Sequence, residues 1–469
     1  MKKVIVTLLS CLISMVFSMV SFSQEITGNW NGLLKVQGTQ LKLVFNITKT
    51  EKGLVATMDS PNQGAKDIPV TTVSFEDSVL KLTIANASIE YEGTLGKDRL
   101  ITGNFRQGGQ SFPLDLSESA IKTEKPLRPQ EPLQPFPYYS EEVIFENNQA
   151  GITLAGTLTL PEKEGNFPVV VLISDSGPHN RNGEILDHKP FLVLSDYLTK
   201  NGIAVLRFDD RGVAASKGDF GSATSLDFAS DVEAGVKYLQ TRKEINKKKI
   251  GLIGHSEGGI IAQLVASKCK DISFITLLAS PGLPGDELII LQLQLLGKAT
   301  GQSEAEHSKE ADFRKGAFDI VKAAYDQEQL KTDLKVFVTK SLKENPNGPK
   351  PEGMSNEEFA KIIYGQIANP WMQYFLKYNP AAVLEKVKCP VLAINGDKDS
   401  QVPSTQNLTA IKDALRKGGN KNVTIKELSG MNHLFQECKT GLTDEYGIIE
   451  QTFSPIALTE ILIWIKSVT

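Results

Sequence analysis

Residues 250–259, IGLIGHSEGG, constrain the fold more than any other stretch of the chain. The apolar run Ile250 to Ile253 predicts a buried strand, and the pattern from Ile260 to Ala266 predicts a helix. Only Gly254-His255-Ser256-Glu257-Gly258 lies between them. So sharp a passage from strand to helix strains its central residue, and bulk two positions away on either side would clash. Gly254 and Gly258 remove that bulk. The helix that follows aims free backbone N–H groups and its positive dipole end at any oxygen that becomes negative beside Ser256. Ser256 is therefore a candidate nucleophile. In a purely structural role the same residues form a glycine-rich turn.

A nucleophilic serine needs a base, and the base needs a group to orient it. Of the five histidines, His179, His188, His255, His307 and His433, only His433 lies far downstream of Ser256 and beyond a plausible acid. It falls in SGMNHLF, after the strand-like run Val423 to Leu428. The acid is expected after the preceding strand, where the chain reads PVLAINGDKDSQVP. Asp397 and Asp399 both qualify. Read structurally, they are turn residues and His433 a surface histidine.

The chain opens with Lys2 and Lys3, an apolar run from Val4 to Phe22, and small residues before Gln24. This pattern predicts a secretory signal peptide over residues 1–23, cut after Ser23, and an exported, periplasmic or extracellular protein. An uncleaved anchor is the alternative, and no later run resembles a second span. A formal net charge of −4 and no long basic block beyond Lys247-Lys248-Lys249 argue against a nucleic-acid partner. Beyond the leader, Cys269, Cys389 and Cys438 are too few for a disulfide framework or a zinc site. Cys389 and Cys438 flank the acid and histidine loops and are candidates for a single bridge.

Residues 24–120 alternate short apolar and polar runs, such as Leu41 to Ile47 and Val79 to Ile84, with turns about every ten residues. They predict a small antiparallel β domain, a barrel or a sandwich. Gly28-Asn29-Trp30 resembles the Gly-x-Trp of lipocalin-like barrels. A binding role is one reading of this domain and an accessory role the other. Residues 121–139 carry Pro126, Pro129, Pro132, Pro135 and Pro137, which predicts a stiff, extended linker.

From 140 to 469 strand and helix patterns alternate, which predicts an α/β fold with a mostly parallel sheet covered by helices on both faces. The chemistry of such sheets gathers at the carboxyl ends of the strands, where Ser256, Asp397, Asp399 and His433 fall. The alternation breaks at about 281–378, a helix-rich stretch expected to form a cap over Ser256. Trp371, Tyr374, Phe375 and Tyr378 recur at helical spacing there. They are candidates to line an acyl pocket, and equally to form a face packed on the core.

On these residues the chain from about 140 onward resembles the serine α/β-hydrolases, and among them secreted bacterial carboxylesterases with a helical cap. The resemblance is carried by GHSEGG, SDSGPHNRNG at 174–183, KPF at 189–191, RFDDRG at 207–212, NPWMQYFLKYNP at 369–380 and NGDKDSQVP at 395–403. It implies an α/β-hydrolase fold and favours Asp399, since Gly396, Asp399, Val402 and Pro403 fit the spacing G-x-x-D-x-x-V-P. It also implies an oxyanion hole made by the backbone N–H groups of Ser176, with Gly177 next in line, and Glu257. Asp175 departs from the usual glycine, Asn182 from a frequent aspartate, and Ala214 from a frequent glycine. The Asp and Arg of RFDDRG read as loop braces.

The expected activity is hydrolysis of a small-molecule carboxylic ester by Ser256, His433 and Asp399, with no metal or organic cofactor. The alternatives are a serine peptidase or aminoacylpeptidase of the same fold, and a binding protein that kept the shape without the chemistry. Oligomeric state and the natural ester are not legible.

Overall fold

The computed structural model describes residues 26–36, 39–51, 53–61, 65–87, 89–107, 110–119, 127–299, 301, 303–344 and 355–469. The expected leader at 1–23 and the first part of the expected linker, 121–126, lie outside the described residues. Two compact units are present, one ending at Lys122 and the other running from Thr123 to the C-terminus.

The first unit is all-β: β1 (Gly28–Val36), β2 (Thr39–Thr50), β3 (Gly53–Ser60), β4 (Ala65–Pro69), β5 (Thr72–Glu76), β6 (Val79–Ile84), β7 (Ile89–Leu95), β8 (Leu100–Gln107), β9 (Gln110–Pro113) and β10 (Leu116–Ser117). All belong to one sheet of order β4-β3-β2-β1-β10-β8-β7-β6-β5, with β9 on β8. Alternate side chains face one way, as in β7, where Ile89, Tyr91 and Leu95 are buried between exposed neighbours. Trp30, Phe45, Leu80, Tyr91 and Phe105, from five strands, are all sealed from water. Among the described residues this unit has no α-helix to cover that face, only a three-residue 3₁₀ turn at Ala85–Ala87, so the sheet buries it by curling on itself. The single sheet favours the barrel-like form over a two-sheet sandwich. Trp30 donates its indole N–H to the Ile26 carbonyl at 2.7 Å, and Arg99 lies over its ring.

In the second unit, β11 (Tyr139–Asn147) and β12 (Ile152–Leu160) form a hairpin, followed by β13 (Phe167–Ile173), α1 (Pro190–Lys200), β14 (Ala204–Phe208), α2 (Ser225–Thr241), β15 (Ile245–His255), α3 (Glu257–Ala266) and β16 (Ile272–Leu278). Helices α4 (Gly285–Ala299), α5 (Glu304–Ala323), α6 (Gln327–Glu344), α7 (Asn356–Ile367), α8 (Pro370–Lys377) and α9 (Pro380–Leu384) come next, then β17 (Val391–Gly396), α10 (Ser404–Lys417), β18 (Val423–Leu428) and α11 (Pro455–Val468). The sheet order is β11-β12-β14-β13-β15-β16-β17-β18, parallel from β14 onward.

The chain first steps from β13 to β14, then turns back past β13 to β15 and keeps that direction. Right-handed crossovers therefore send α1 to one face and α2, α3 and α10 to the other. The strands feed both faces by alternation. Val170, Leu172 and Ile253 pack with α1 and α11, whereas Val169, Val171 and Leu252 pack with α2, α3 and α10. Helices α4–α8 form the inserted cap, whose own core joins Phe313 and Phe318 of α5, Leu334 of α6, Ile363 of α7 and Leu376 of α8, while Leu384 of α9 packs in the main core.

Two expectations are refined. The described part of the proline-rich segment is docked on the second unit rather than free. Arg128 donates to the carbonyls of Gly447 and Ile449, each at 2.9 Å, Gln130 bonds to Thr452 and Phe453, and Glu131 pairs with Lys189. Arg128 and Gln130 supply side-chain partners for loop backbone that the prolines cannot. Cys269, Cys389 and Cys438 are free, so Cys389 and Cys438 form no bridge. No helix among the described residues is long and apolar enough to cross a membrane.

Candidate active site

Ser256 stands between β15 and α3 with φ 51° and ψ −116°. A side-chain-bearing residue is strained there. Backbone bonds hold it: Ser256 N–H donates to the Leu278 carbonyl at 2.8 Å, and Gly259 N–H to the Ser256 carbonyl at 2.9 Å. A Cβ at Gly254 would lie 2.0 Å from the Gly258 carbonyl oxygen, and one at Gly258 would lie 2.2 Å from that of Ile173. Both obstacles are backbone, so neither can swing aside. Gly258→Ala is expected to cost at least about 1–3 kcal/mol, read from urea unfolding. An unchanged midpoint would show that the turn tolerates bulk.

His433 follows β18. Its Nδ1 lies 2.7 Å from Asp399 Oδ2. A carboxylate only accepts, so the proton sits on Nδ1 and Nε2 keeps its lone pair in the neutral ring. Asp399 Oδ1 accepts the N–H groups of Gln401 and Val402, each at 2.8 Å, which fixes the carboxylate. Asp397 instead accepts from Ser429 Oγ and Gly430 N–H and braces a turn. Tertiary structure thus separates the two aspartates. Burial lowers the His433 pKa, but the charge and hydrogen bond of Asp399, with Asp175 behind them, outweigh it and leave the group raised.

His255 ties the elbow to the histidine loop. Its Nε2 lies 2.8 Å from the His433 carbonyl, which can only accept, so Nε2 carries the proton. The two rings are 4.8 Å apart. Burial, and then the neighbouring His433, push His255 down to about 4, so it is neutral at physiological pH. Sequence reading missed this brace, although the residue's place beside Ser256 was a signal. His188 is a buried structural histidine, bonded to Thr452 and Tyr446.

The loop after β13 lies against the elbow, since a Cβ on Gly258 would also meet the Ser174 carbonyl. Asp175 pairs with His179 Nε2 at 2.9 Å and lies 3.9 Å from His255 Nδ1. Ser176 is exposed, and its hydroxyl favours the ionised form of the Glu257 carboxylate. Glu257 Oε1 also accepts Ser225 Oγ and Trp371 Nε1, both at 2.7 Å. Burial raises the Glu257 pKa against these donors. Of the aromatic candidates, Trp371 reaches the elbow through that bond. Phe375 is buried in the core, stacked 5.3 Å from Trp371, and Tyr374 is half-buried against the same core. The helical spacing put the last two on a packing face.

A family model described as serine aminopeptidase, S33, matches residues 189–348. Esterase EstD of Thermotoga maritima is 24% identical over 299 residues, 64% of this chain and 62% of EstD, so the chain spans less than two thirds of that relative. Two solved structures are similar at 16% identity. They are the alpha/beta hydrolase GrgF from Penicillium sp. sh18 (TM-score 0.43, 70% of this chain and 98% of GrgF) and the Pyrococcus furiosus esterase Pf2001 (TM-score 0.42, 70% and 93%). The strand order, the strained turn after β15 and the helical insertion after β16 agree with the family match. The second unit has the architecture of an α/β-hydrolase fold, a mostly parallel sheet with helices on both faces and a helical insertion after β16.

The departures noted in the sequence acquire physical content in this unit. The RFDDRG residues brace loops: Arg181 makes a two-pronged pair with Asp209, and Arg211 with Asp231. Asp210 accepts Ser174 Oγ and His179 N–H. Ala214 holds φ 46°, which explains why glycine is frequent at that position. Asn182 gives the buried Arg207 only a neutral acceptor. Arg207 Nε has no partner, and burial pushes this guanidinium down to about 10. Asn182→Asp is expected to stabilise the protein by about 1–3 kcal/mol by supplying a charged acceptor. A lowered Tm would refute this.

The Asp175–His179 pair gives a pH signature. Burial opposes both charged forms, but mutual pairing prevails, leaving His179 raised from 6.5 to about 9 and Asp175 lowered from 3.8 to about 2. For His179 the stabilisation is complete below 6.5 and is lost as pH rises through about 9. For Asp175 it is complete above 3.8 and is lost as pH falls through about 2. The Tm difference between wild type and Asp175→Asn should therefore peak between 3.8 and 6.5 and fade above about 9. A difference that is flat with pH would exclude the ion pair as its source.

Proposed function

We propose that the chain is a serine carboxylesterase. Neutral His433 takes the proton of Ser256 Oγ as the oxygen attacks the ester carbonyl, and Asp399 stabilises the imidazolium. The N–H groups of Glu257 and Ser176 hold the oxyanion. Histidine returns its proton to the leaving alcohol, and a water activated by the same ring releases the acid and regenerates Ser256. The observation that carries this reading is the 2.7 Å His433–Asp399 bond, in a loop tied by His255 to the strained serine. A relative named as an esterase supports the ester.

The family description favours a second reading, an aminopeptidase. Such an enzyme needs an anchor for the peptide amino terminus. Glu257, the acid beside Ser256, has its carboxylate buried and already taken by Ser225 and Trp371. Parallel kinetics on short-chain aryl esters and aminoacyl anilides separate the readings. Esters alone should turn over above a Ser256→Ala background, and the opposite result selects the peptidase. Failure of a fluorophosphonate to label Ser256 removes both.

Export on a leader at residues 1–23 belongs to the same proposal. A mature N-terminus at Gln24 is its test.

A further inference from the structure

Glu257 is an unusual residue to find 3% exposed at the first position of a helix. Desolvating a carboxylate is costly, and an apolar side chain of similar volume would fill the space without that cost. What an apolar group lacks is direction. Glu257 Oε1 accepts two bonds of 2.7 Å, one from Ser225 Oγ at the first residue of α2 and one from Trp371 Nε1 on cap helix α8. The Ser176 hydroxyl, on the loop after β13, also favours the ionised carboxylate. The indole is itself held, stacked on the buried Phe375, and α8 carries Leu376 into the cap core. One side chain therefore fastens α2 and the cap to the residue that directly follows Ser256.

We propose that Glu257 is a positioning residue of the oxyanion site. By accepting Trp371 Nε1–H and the Ser225 hydroxyl, it fixes the Glu257 N–H group against α2 and the cap. The proposal rests on the serine-esterase reading above. It follows that the cap reports its position to the elbow through Trp371. The acceptor oxygen rather than the charge does the positioning, because both 2.7 Å donors converge on one oxygen. Displacement of an oxyanion donor by a fraction of an ångström lowers kcat more than it alters KM, since the interaction matures only in the transition state.

The test compares wild type, Trp371→Phe, Glu257→Met and Glu257→Gln on one aryl ester, with rates expressed per site titrated by a fluorophosphonate. Trp371→Phe keeps the ring and removes the N–H; Glu257→Met keeps the volume and removes the acceptor. Expected are losses in kcat of about tenfold and about a hundredfold respectively, with KM changed by less than about threefold. Glu257→Gln, which retains one acceptor oxygen, should recover most of the kcat that Glu257→Met loses. The proposal is overturned if kcat per titrated site stays at the wild-type value in Trp371→Phe and Glu257→Met while only Tm falls. It is also overturned if Glu257→Gln is no better than Glu257→Met. Should Glu257→Met not fold, Trp371→Phe against wild type decides alone. Failure of the esterase reading has a different signature: wild type itself neither turns over the ester nor labels.

Discussion

Ser256→Ala is expected to lower kcat for ester hydrolysis by about 10⁶ while the protein stays folded. The backbone at 256 is strained whichever of the two side chains it carries, and its hydrogen bonds to Leu278 and Gly259 do not involve Oγ. On the esterase reading, the substitution therefore removes the nucleophile and little else. What survives is the catalysis that the oxyanion donors supply alone, about 10³–10⁴ over water. Ser256→Gly should be equally inactive yet more stable than wild type, because glycine relieves the positive φ. That gain in Tm would be the mark of strain kept for function. A Ser256→Ala protein with ordinary esterase activity would refute the assignment outright.

Asp399→Asn should cost about 10⁴ in kcat with little change in Tm. The size follows from hydrogen-bond direction. At Asp399, Oδ1 faces two backbone donors, Gln401 N–H and Val402 N–H. An asparagine must keep its carbonyl oxygen there, since an NH₂ group would meet two N–H groups head on. Its NH₂ then faces His433 Nδ1, where the carboxylate had accepted at 2.7 Å. The ring is forced to the opposite tautomer, with the proton on Nε2 and no lone pair to receive the serine proton. Activity within tenfold of wild type would mean that Asp399 does not orient the base.

Local pattern carried far in this chain. Val423 to Leu428 and Val79 to Ile84 are strands over just those residues, and the glycines around Ser256 have the steric role their spacing implied. These features depend on neighbours within a few positions, where φ, ψ and side-chain period act directly. Less was legible where distant residues compete. Asp397 and Asp399 are equivalent turn residues in sequence, and only the docking of the 429–433 loop gives one the turn and the other the histidine. Tyr374 and Phe375 share the helical spacing of Trp371, and all three pack on the core, but it is the Trp371 indole N–H that reaches Glu257. The proline-rich stretch reads as a spacer, yet Arg128 and Gln130 find carbonyls and amides more than 300 residues away in the chain.

By itself the sequence determined the alternation of strand and helix, the strained turn at Ser256, and the order in which acid and histidine follow it, since each is written in short-range periodicity and sterics. Tertiary structure alone decided which aspartate meets His433, that His255 holds the His433 loop, and that Trp371 of the cap closes on Glu257. These are pairings of groups far apart along the chain. Their geometry is set by how the sheet twists and the insertion folds, and no local rule encodes it.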